Sequence, residues 1–241
     1  MRTLLTIALL LQALAIQANP LLPYRADYQV WRGDSELGSG YYQLERLADD
    51  HYRLGYQSQV GWLFLSDTRT ETSEFQMASD LVRPTLYRMK RSGTGPDFKA
   101  WIRFDPEQGR IDAQYRDAKT RLPWSEPRFD PLSYQQQLRL DVAAGRTEMS
   151  YPVIYKAKER EYRYRVVGED TLTLPFGTLE TIKLERDRGE GSSRQTYLWL
   201  AKAHHLVMAR LIQYKDGDVQ AELKLTKLTF TTDPTLRASR P

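Results

Sequence analysis

Alternation of apolar and polar positions dominates the chain. From Tyr24 to Trp31, the residues Tyr24, Ala26, Tyr28 and Val30 fall on one side and Arg25, Asp27, Gln29 and Trp31 on the other, the period of two that a strand imposes on its side chains. The pattern predicts a strand here, a turn at Gly33-Asp34, extended chain again from Gly38 to Leu47, a turn at Asp49-Asp50, and a further strand from His51 to Val60. After Arg83-Pro84, Tyr87, Met89 and Arg91 oppose Arg88 and Lys90, and Ser92 to Asp97 supplies a Gly- and Pro-containing turn. In Lys99 to Phe104, Ala100, Ile102 and Phe104 oppose Trp101 and Arg103, and Asp105 to Gly109 turns the chain into Arg110 to Tyr115. Consecutive antiparallel strands account for this punctuation.

Two segments break the period. Gly61-Trp62-Leu63-Phe64-Leu65 is a continuous apolar patch, which suits the buried end of a strand, a short helical insertion or an exposed loop that meets a ligand. The other is a helix. Asp130 can cap its N-terminus, Pro131 suits the first helical position and Gly145 can end it. Tyr134, Leu138 and Val142 recur every four residues, a stripe that predicts a helix from Pro131 to Ala144 lying against a sheet. Lys119 to Phe129, with Pro123 and Pro127, reads as a loop rather than a central strand. Strand grammar then resumes in Glu161 to Val166, in Thr171 to Leu174 and Leu179 to Glu185 around Pro175-Phe176-Gly177, and in a terminal meander of Arg194 to Leu200, Val207 to Tyr214 and Val219 to Phe230. Its last turn is Asp216-Gly217. Leu223 and Leu225 differ in parity from Leu228 and Phe230, which predicts a bulge between Leu225 and Leu228. The expected fold is mainly β: a curved antiparallel sheet or incomplete barrel with one short helix on its concave side.

Residues 1–18 read differently. Arg2 precedes an apolar run from Leu4 to Leu14, interrupted only by Thr6 and Gln12, and Ala15 to Ala18 offers small cleavage residues. This is the pattern of a secretory signal peptide, cleaved after Ala18 with Ala13 and Ala15 marking an alternative site. The run is about half the ~20 residues needed to span a bilayer, and no cysteine is present to carry a lipid. The expected organisation is a signal peptide at 1–18, one β-rich domain at 19–230 and a polar tail at 231–241, exported to the periplasm or beyond, with no transmembrane anchor. Thirty-five basic residues against 31 acidic give a formal net charge of +4, with signs interleaved as in Lys158-Glu159-Arg160-Glu161. That predicts a mixed-charge solvated surface rather than a nucleic-acid face. The basic balance still favours weak attraction to anionic lipid or envelope polymers. Without cysteine, the fold rests on packing alone.

Several ordered pieces carry a resemblance. They are Pro23-Tyr24-Arg25-Ala26-Asp27-Tyr28, Arg83-Pro84-Thr85-Leu86-Tyr87 with Arg91-Ser92-Gly93, Asp130-Pro131-Leu132-Ser133, Tyr162 to Gly168, Pro175 to Thr181, and Leu198-Trp199-Leu200. In this order the chain resembles the bacterial family called domain of unknown function 3108. The resemblance implies an exported protein and supplies no catalytic residue. The ending, Leu198-Trp199-Leu200, then His204 to Arg210, then Asp216-Gly217, is more distantly similar to the LolA/LolB type of periplasmic lipoprotein carrier, in which a curved sheet holds acyl chains. The usual Leu-Pro at the return is Leu206-Val207 here.

Catalytic patterns are weak. His51 and the adjacent His204-His205 lack ligand spacing, Ser192-Ser193 lacks a nucleophile elbow, and Gly93-Thr94-Gly95-Pro96 lacks a phosphate-loop pattern. Glu71 with Glu74, or Glu169 with Asp170, could serve a carboxylate hydrolase only if held across a cleft. No catalytic, metal or cofactor assignment follows. The aromatics Trp62, Phe64, Trp101, Trp124 and Trp199 suit core packing, a cavity lining or sugar stacking. The expectation is therefore a binding protein of the envelope, with Trp62, Phe64, Leu65 and Trp101 lining a hydrophobic-ligand site inside the curved sheet and a lipid or acyl chain as ligand. The alternatives are a carbohydrate-binding or protein-interaction module, whose partner is a polysaccharide or envelope protein, and a hydrolase using carboxylates.

Overall fold

The two faces read from the alternation become the two faces of one continuous sheet. The computed structural model describes residues 19–62 and 64–231. In chain order the strands are β1 (Tyr24–Arg32), β2 (Ser35–Ala48), β3 (His51–Trp62), β4 (Leu65–Ala78), β5 (Leu81–Gly93), β6 (Phe98–Asp105), β7 (Arg110–Tyr115) and β8 (Ala118–Pro123). After α1 (Ser133–Ala143) come β9 (Glu148–Tyr155), β10 (Lys158–Leu174), β11 (Gly177–Asp187), β12 (Arg194–Ala201), β13 (Met208–Lys215) and β14 (Asp218–Phe230). Every named pairing is antiparallel, and the 14 strands run in the order β8 to β1, then β14 back to β9. The sheet curls without closing, so β8 and β9 are its edges, and α1 packs on the concave side between them in sequence. The β9 edge is partly covered: Phe129 donates its N–H to the Pro152 carbonyl and accepts from Ile154 N–H at 3.0 and 2.8 Å. The β8 edge carries Lys119, Arg121 and Pro123, residues that discourage a further strand from adding.

Burial follows the period. Tyr24, Ala26, Tyr28 and Val30 are all buried, as are Ala100, Ile102 and Phe104 on β6 and Ile111 and Ala113 on β7. These inward positions form one core with the helix. Leu138 and Val142 are buried, and the Tyr134 ring lies 5.2 Å from Tyr162 and 6.0 Å from Tyr164, so the expected stripe does meet the sheet.

The helix is not simply amphipathic, however, because Gln136, Gln137, Arg139 and Asp141 are buried too. Each is tied to a strand or a turn. Gln137 accepts Val82 N–H and donates to the Asp80 carbonyl at 2.8 and 3.0 Å. Gln136 donates to the Pro20 carbonyl at 2.8 Å, Arg139 to the His205 and Leu206 carbonyls at 2.9 and 3.1 Å, and Tyr151 to Asp141 at 2.7 Å. These bonds satisfy groups that would otherwise be costly to bury. The Asp130 carboxylate accepts Leu132 and Ser133 N–H at 2.8 and 2.9 Å, as the cap predicted, and Gly145, at φ +81°, ends the helix.

Some boundaries differ from the reading of the sequence. The helix starts two residues later than Pro131, and Lys119 to Pro123 belongs to an edge strand rather than a loop, a sheet position that tolerates its terminal proline. Strand β4 carries no clear alternation in sequence because Thr, Ser and Glu occupy it, whereas β9 alternates from Glu148 to Val153 and loses the period only at its end, where Val153 and Ile154 are both buried. Lys158–Leu174 is one long strand that bulges at Val166 to Gly168. The bulge expected near the C-terminus is present: Asp27 faces Lys227 and Tyr28 faces Leu225, which leaves Thr226 unpaired in register. The signal-peptide reading at 1–18 and the tail from residue 232 onward lie outside the described residues.

Candidate functional site

A broad concavity lies on the outward face of β4 to β8, away from the helix, as a trough of about 1000 Å³. Register builds it. Thr72, Arg88, Trp101 and Gln114 are successive cross-strand neighbours; Thr70, Lys90 and Lys99 form the next row, and Leu86, Arg103, Asp112 and Arg121 the third. Trp101 is half-buried in the middle row and donates its indole N–H to Gln114 Oε1 at 3.0 Å. Around it stand six cations, Arg88, Lys90, Lys99, Arg103, Lys119 and Arg121, against one carboxylate of the lining, Asp112.

Asp112 is committed to Arg121 at 2.7 Å and Arg110 at 3.1 Å, and the Arg121 hydrogen bond holds its carboxyl below the usual range. Among the described residues Lys90, Lys99, Arg103 and Lys119 make no ion pair within 4 Å. Lys90 and Lys99 face each other directly across β5 and β6, a like-charge pairing that weakens a sheet. Their alkyl stems, with Leu86, Trp101 and the threonine methyls, leave the trough floor largely carbon, so it combines apolar contact with a positive field.

The four residues expected to line one site are not brought together. The apolar patch forms the tip of the β3–β4 hairpin, where Trp62 and Leu65 pair and Phe64 and Leu65 are 97% and 55% exposed. The Trp62 side chain and Leu63 lie outside what the structure describes. Trp101 faces Arg88, five residues along β5 from Gly93, which faces Asp67 near that tip, a separation of about 17 Å at ~3.4 Å per residue. Only Trp101 borders the trough. The interior space expected for a ligand is taken by α1: a gap beneath it measures about 30 Å³, and another, between β5–β7 and the β9–β10 turn, about 20 Å³, each the size of a single water. The cations of the trough were missed because signs alternate along the sequence; the signal was their spacing by two, Arg88/Lys90, Lys99/Trp101/Arg103 and Lys119/Arg121.

A model of the family described as protein of unknown function (DUF3108) matches residues 27–224. The chain belongs to that family. None of the curated proteins matches it in sequence. Among solved structures, this DUF3108 protein is similar to a β-barrel-like protein of domain of unknown function DUF1849 from Brucella abortus, with a TM-score of 0.61 and 12% identity over 88% of this chain and 99% of that one. That likeness shows a common fold. Immune modulator A of Aeromonas veronii scores 0.26 at 8% identity, over 84% of this chain and 75% of that one. A domain from Vibrio parahaemolyticus whose name ties it to outer membrane lipoprotein sorting scores 0.24 at 12% identity, over 88% and 86%. Likeness at that level carries no argument about function.

The carboxylates and histidines singled out in the DUF3108 chain have structural partners. Glu71 is buried beside Tyr87, which donates to it at 2.6 Å, and burial pushes its carboxyl above the usual range. Glu74 bonds Arg53 at 2.9 Å, Glu169 bonds Lys202 at 2.8 Å and Asp170 accepts the Trp199 indole N–H at 2.8 Å. His204 stacks edge-on to Phe176, while His205 accepts Asn19 N–H at 3.0 Å and packs on Phe230. Among the described residues no group of three or more acidic, Cys or His side chains is arranged to hold a metal, and no helix is long and apolar enough to cross a membrane.

Proposed function

We propose that this DUF3108 protein is an exported envelope protein that binds a lipid or other amphiphile bearing an anionic group, held along the outward trough with Trp101 as its apolar contact. The observation that carries this reading is the trough itself: about 1000 Å³, floored by Trp101 and bordered by six cations, four of them without an ion-pair partner among the described residues. A volume of ~300–1,000 Å³ suits a single small ligand. Acyl carbons replace water over the indole and the lysine stems, while the anion relieves the repulsion between Lys90 and Lys99. The signal-peptide pattern at 1–18 supports export. Trp62, Phe64 and Leu65 take a second role in this reading, as the hairpin tip that touches the lipid surface; burying a side chain such as Phe64 contributes roughly 1.5–3 kcal/mol.

One observation favours a second reading. Trp101 lies in an open trough rather than a closed cavity, which also suits an acidic polysaccharide stacked on its ring. Native mass spectrometry of the protein purified from its exported compartment, followed by lipid extraction, separates the two. The expected result is a copurifying anionic lipid, reduced by Trp101→Ala and by the Lys90→Glu/Lys99→Glu pair, with vesicle binding reduced by Trp62→Ala/Phe64→Ala. Unchanged lipid retention in the trough variants, with the fold intact by circular dichroism, overturns the amphiphile reading. Retention of uronic-acid oligosaccharide instead of lipid establishes the second.

A further inference from the structure

Far from the trough along the sheet, three arginines converge where β11 leads into β12. Arg186 follows Leu184 on the inward-facing side of β11, Arg188 lies just past the end of that strand, and Arg194 shares the face of Thr196 at the start of β12. Arg188 donates to Thr196 Oγ1 at 3.0 Å, and the Arg186 guanidinium lies 3.5 Å over the Tyr162 ring. Together with Arg165, the carboxylates Glu185, Asp187 and Glu190, and the connection at Gly189 and Ser192, they border a pocket of about 290 Å³.

The carboxylates around it are engaged elsewhere or exposed. Glu185 is held by Arg165 at 2.7 Å, and Asp187 by Arg163 at 3.4 Å and by Gly189 N–H at 2.8 Å, while Glu190 projects into solvent. Among the described residues none of Arg186, Arg188 and Arg194 has an ion-pair partner, and the Nε atoms of Arg186 and Arg188 are buried without a hydrogen-bond acceptor. Burial and then the neighbouring charges of Arg186 and Arg194 push the Arg188 guanidinium below its usual value. Three guanidinium groups crowded together with donors to spare are costly unless an anion completes them.

We infer that Arg186, Arg188 and Arg194 form a binding site for a phosphate or phosphomonoester group. Guanidinium forks match the oxygens of such a group in pairs, and a dianion offers acceptors to several forks at once. The pocket admits the head of a phosphorylated molecule and is distinct from the trough, so the inference does not depend on the amphiphile reading. A free phosphate and a lipid phosphomonoester present the same oxygens.

The test is calorimetric titration of the full chain with inorganic phosphate, against chloride at matched ionic strength, together with flotation on vesicles containing phosphatidic acid. Binding to either probe, weakened at least about tenfold by the exposed-site variant Arg194→Gln and by Arg188→Gln, upholds the site. Phosphate binding alone assigns a solute, and flotation lost in Arg194→Gln assigns a lipid headgroup. Lys202→Gln, which removes a cation paired with Glu169 outside the pocket, should leave binding within about twofold. No binding to either probe, or binding unchanged in Arg194→Gln, overturns the inference. Because Arg194 is exposed, its variant stays informative even if Arg188→Gln fails to fold.

Discussion

Replacing Asp130 separates two roles that one carboxylate combines. Its Oδ1 accepts Leu132 and Ser133 N–H at 2.8 and 2.9 Å, and its Oδ2 accepts the Ser73 hydroxyl of β4 at 2.6 Å, all in a fully buried setting. Asp130→Ala removes the helix cap, worth about 1 kcal/mol. It also strands a buried hydroxyl, at about 1–3 kcal/mol. The expected loss is therefore about 2–4 kcal/mol in urea unfolding, and a fall in Tm of roughly 5–15 °C for a chain of this size.

Asp130→Asn keeps the Oδ1 acceptor, and the Ser73 hydroxyl oxygen can accept from the new amide, so its loss near neutral pH is expected below about 1 kcal/mol. Burial raises the Asp130 carboxyl above its ordinary value of 3.8. A raised acid binds its proton more tightly in the fold than in the unfolded chain, so its stabilising contribution is complete below 3.8 and disappears as pH climbs through the folded value. Stability of wild type relative to Asp130→Asn should accordingly fall as pH rises from about 4 to about 7. Because the Asp130 charge also raises Glu71, the difference carries both groups in the same direction, and measuring it in a Glu71→Gln background isolates Asp130. The reasoning fails if Asn costs as much as Ala, or if the difference is flat with pH.

Two further perturbations test the register and the turn beneath the helix. Gly93 sits at φ +143° with the Ser66 carbonyl where a Cβ would be; Gly93→Ala should cost at least about 2 kcal/mol in urea unfolding, whereas Gly33→Ala, with open space around it, should cost about 1, and equal losses would refute the close approach of β4 and β5. His205 accepts Asn19 N–H through Nδ1, and burial, with Arg139 next, lowers its pKa below 6.5. The fold therefore favours the neutral ring, its contribution is present above 6.5 and lost as pH falls. Wild type should lose stability relative to His205→Asn between about pH 7 and about pH 5, and a constant difference would exclude that role.

The strand pairs legible in the sequence were those whose two faces differ sharply in polarity. Tyr24 to Trp31 and Lys99 to Phe104 announce their inward residues, and the parity change after Leu225 even locates an unpaired Thr226. Strand β4 was hidden because its inward residues include Glu71 and Ser73, polar groups made tolerable by Tyr87 and Asp130, which are distant in sequence. The helix stripe was legible, but its buried Gln136, Gln137 and Arg139 were not, since each depends on a carbonyl or N–H more than 50 residues away. The trough fails to show for a related reason. Alternation places each cation on the outward face, yet only the β5–β6–β7–β8 register brings the rows together around Trp101.

That burial pattern also decides which face can take a ligand. A curled sheet of 14 strands could enclose a cavity, but here the enclosed volume is filled by a helix whose polar side chains hold the Asp80 turn, the His205–Leu206 turn, Pro20 and β9. Moving that helix aside to admit an acyl chain would break the bonds of Gln136 to Pro20, of Gln137 to Asp80 and Val82, of Arg139 to His205 and Leu206 and of Asp141 to Tyr151, stranding buried groups on both sides. Each neutral group alone costs about 1–3 kcal/mol when buried unpaired, and charged groups cost more. The total rivals the ~5–15 kcal/mol stability of a typical domain. A ligand on the outward face pays no such penalty: it meets cations already exposed, and where Lys90 opposes Lys99 an anion removes a repulsion instead of breaking a bond. On the proposed reading, specificity follows from cross-strand register on the outside of the sheet, and a one-residue slip between β5 and β6 would abolish the proposed binding even with every strand retained.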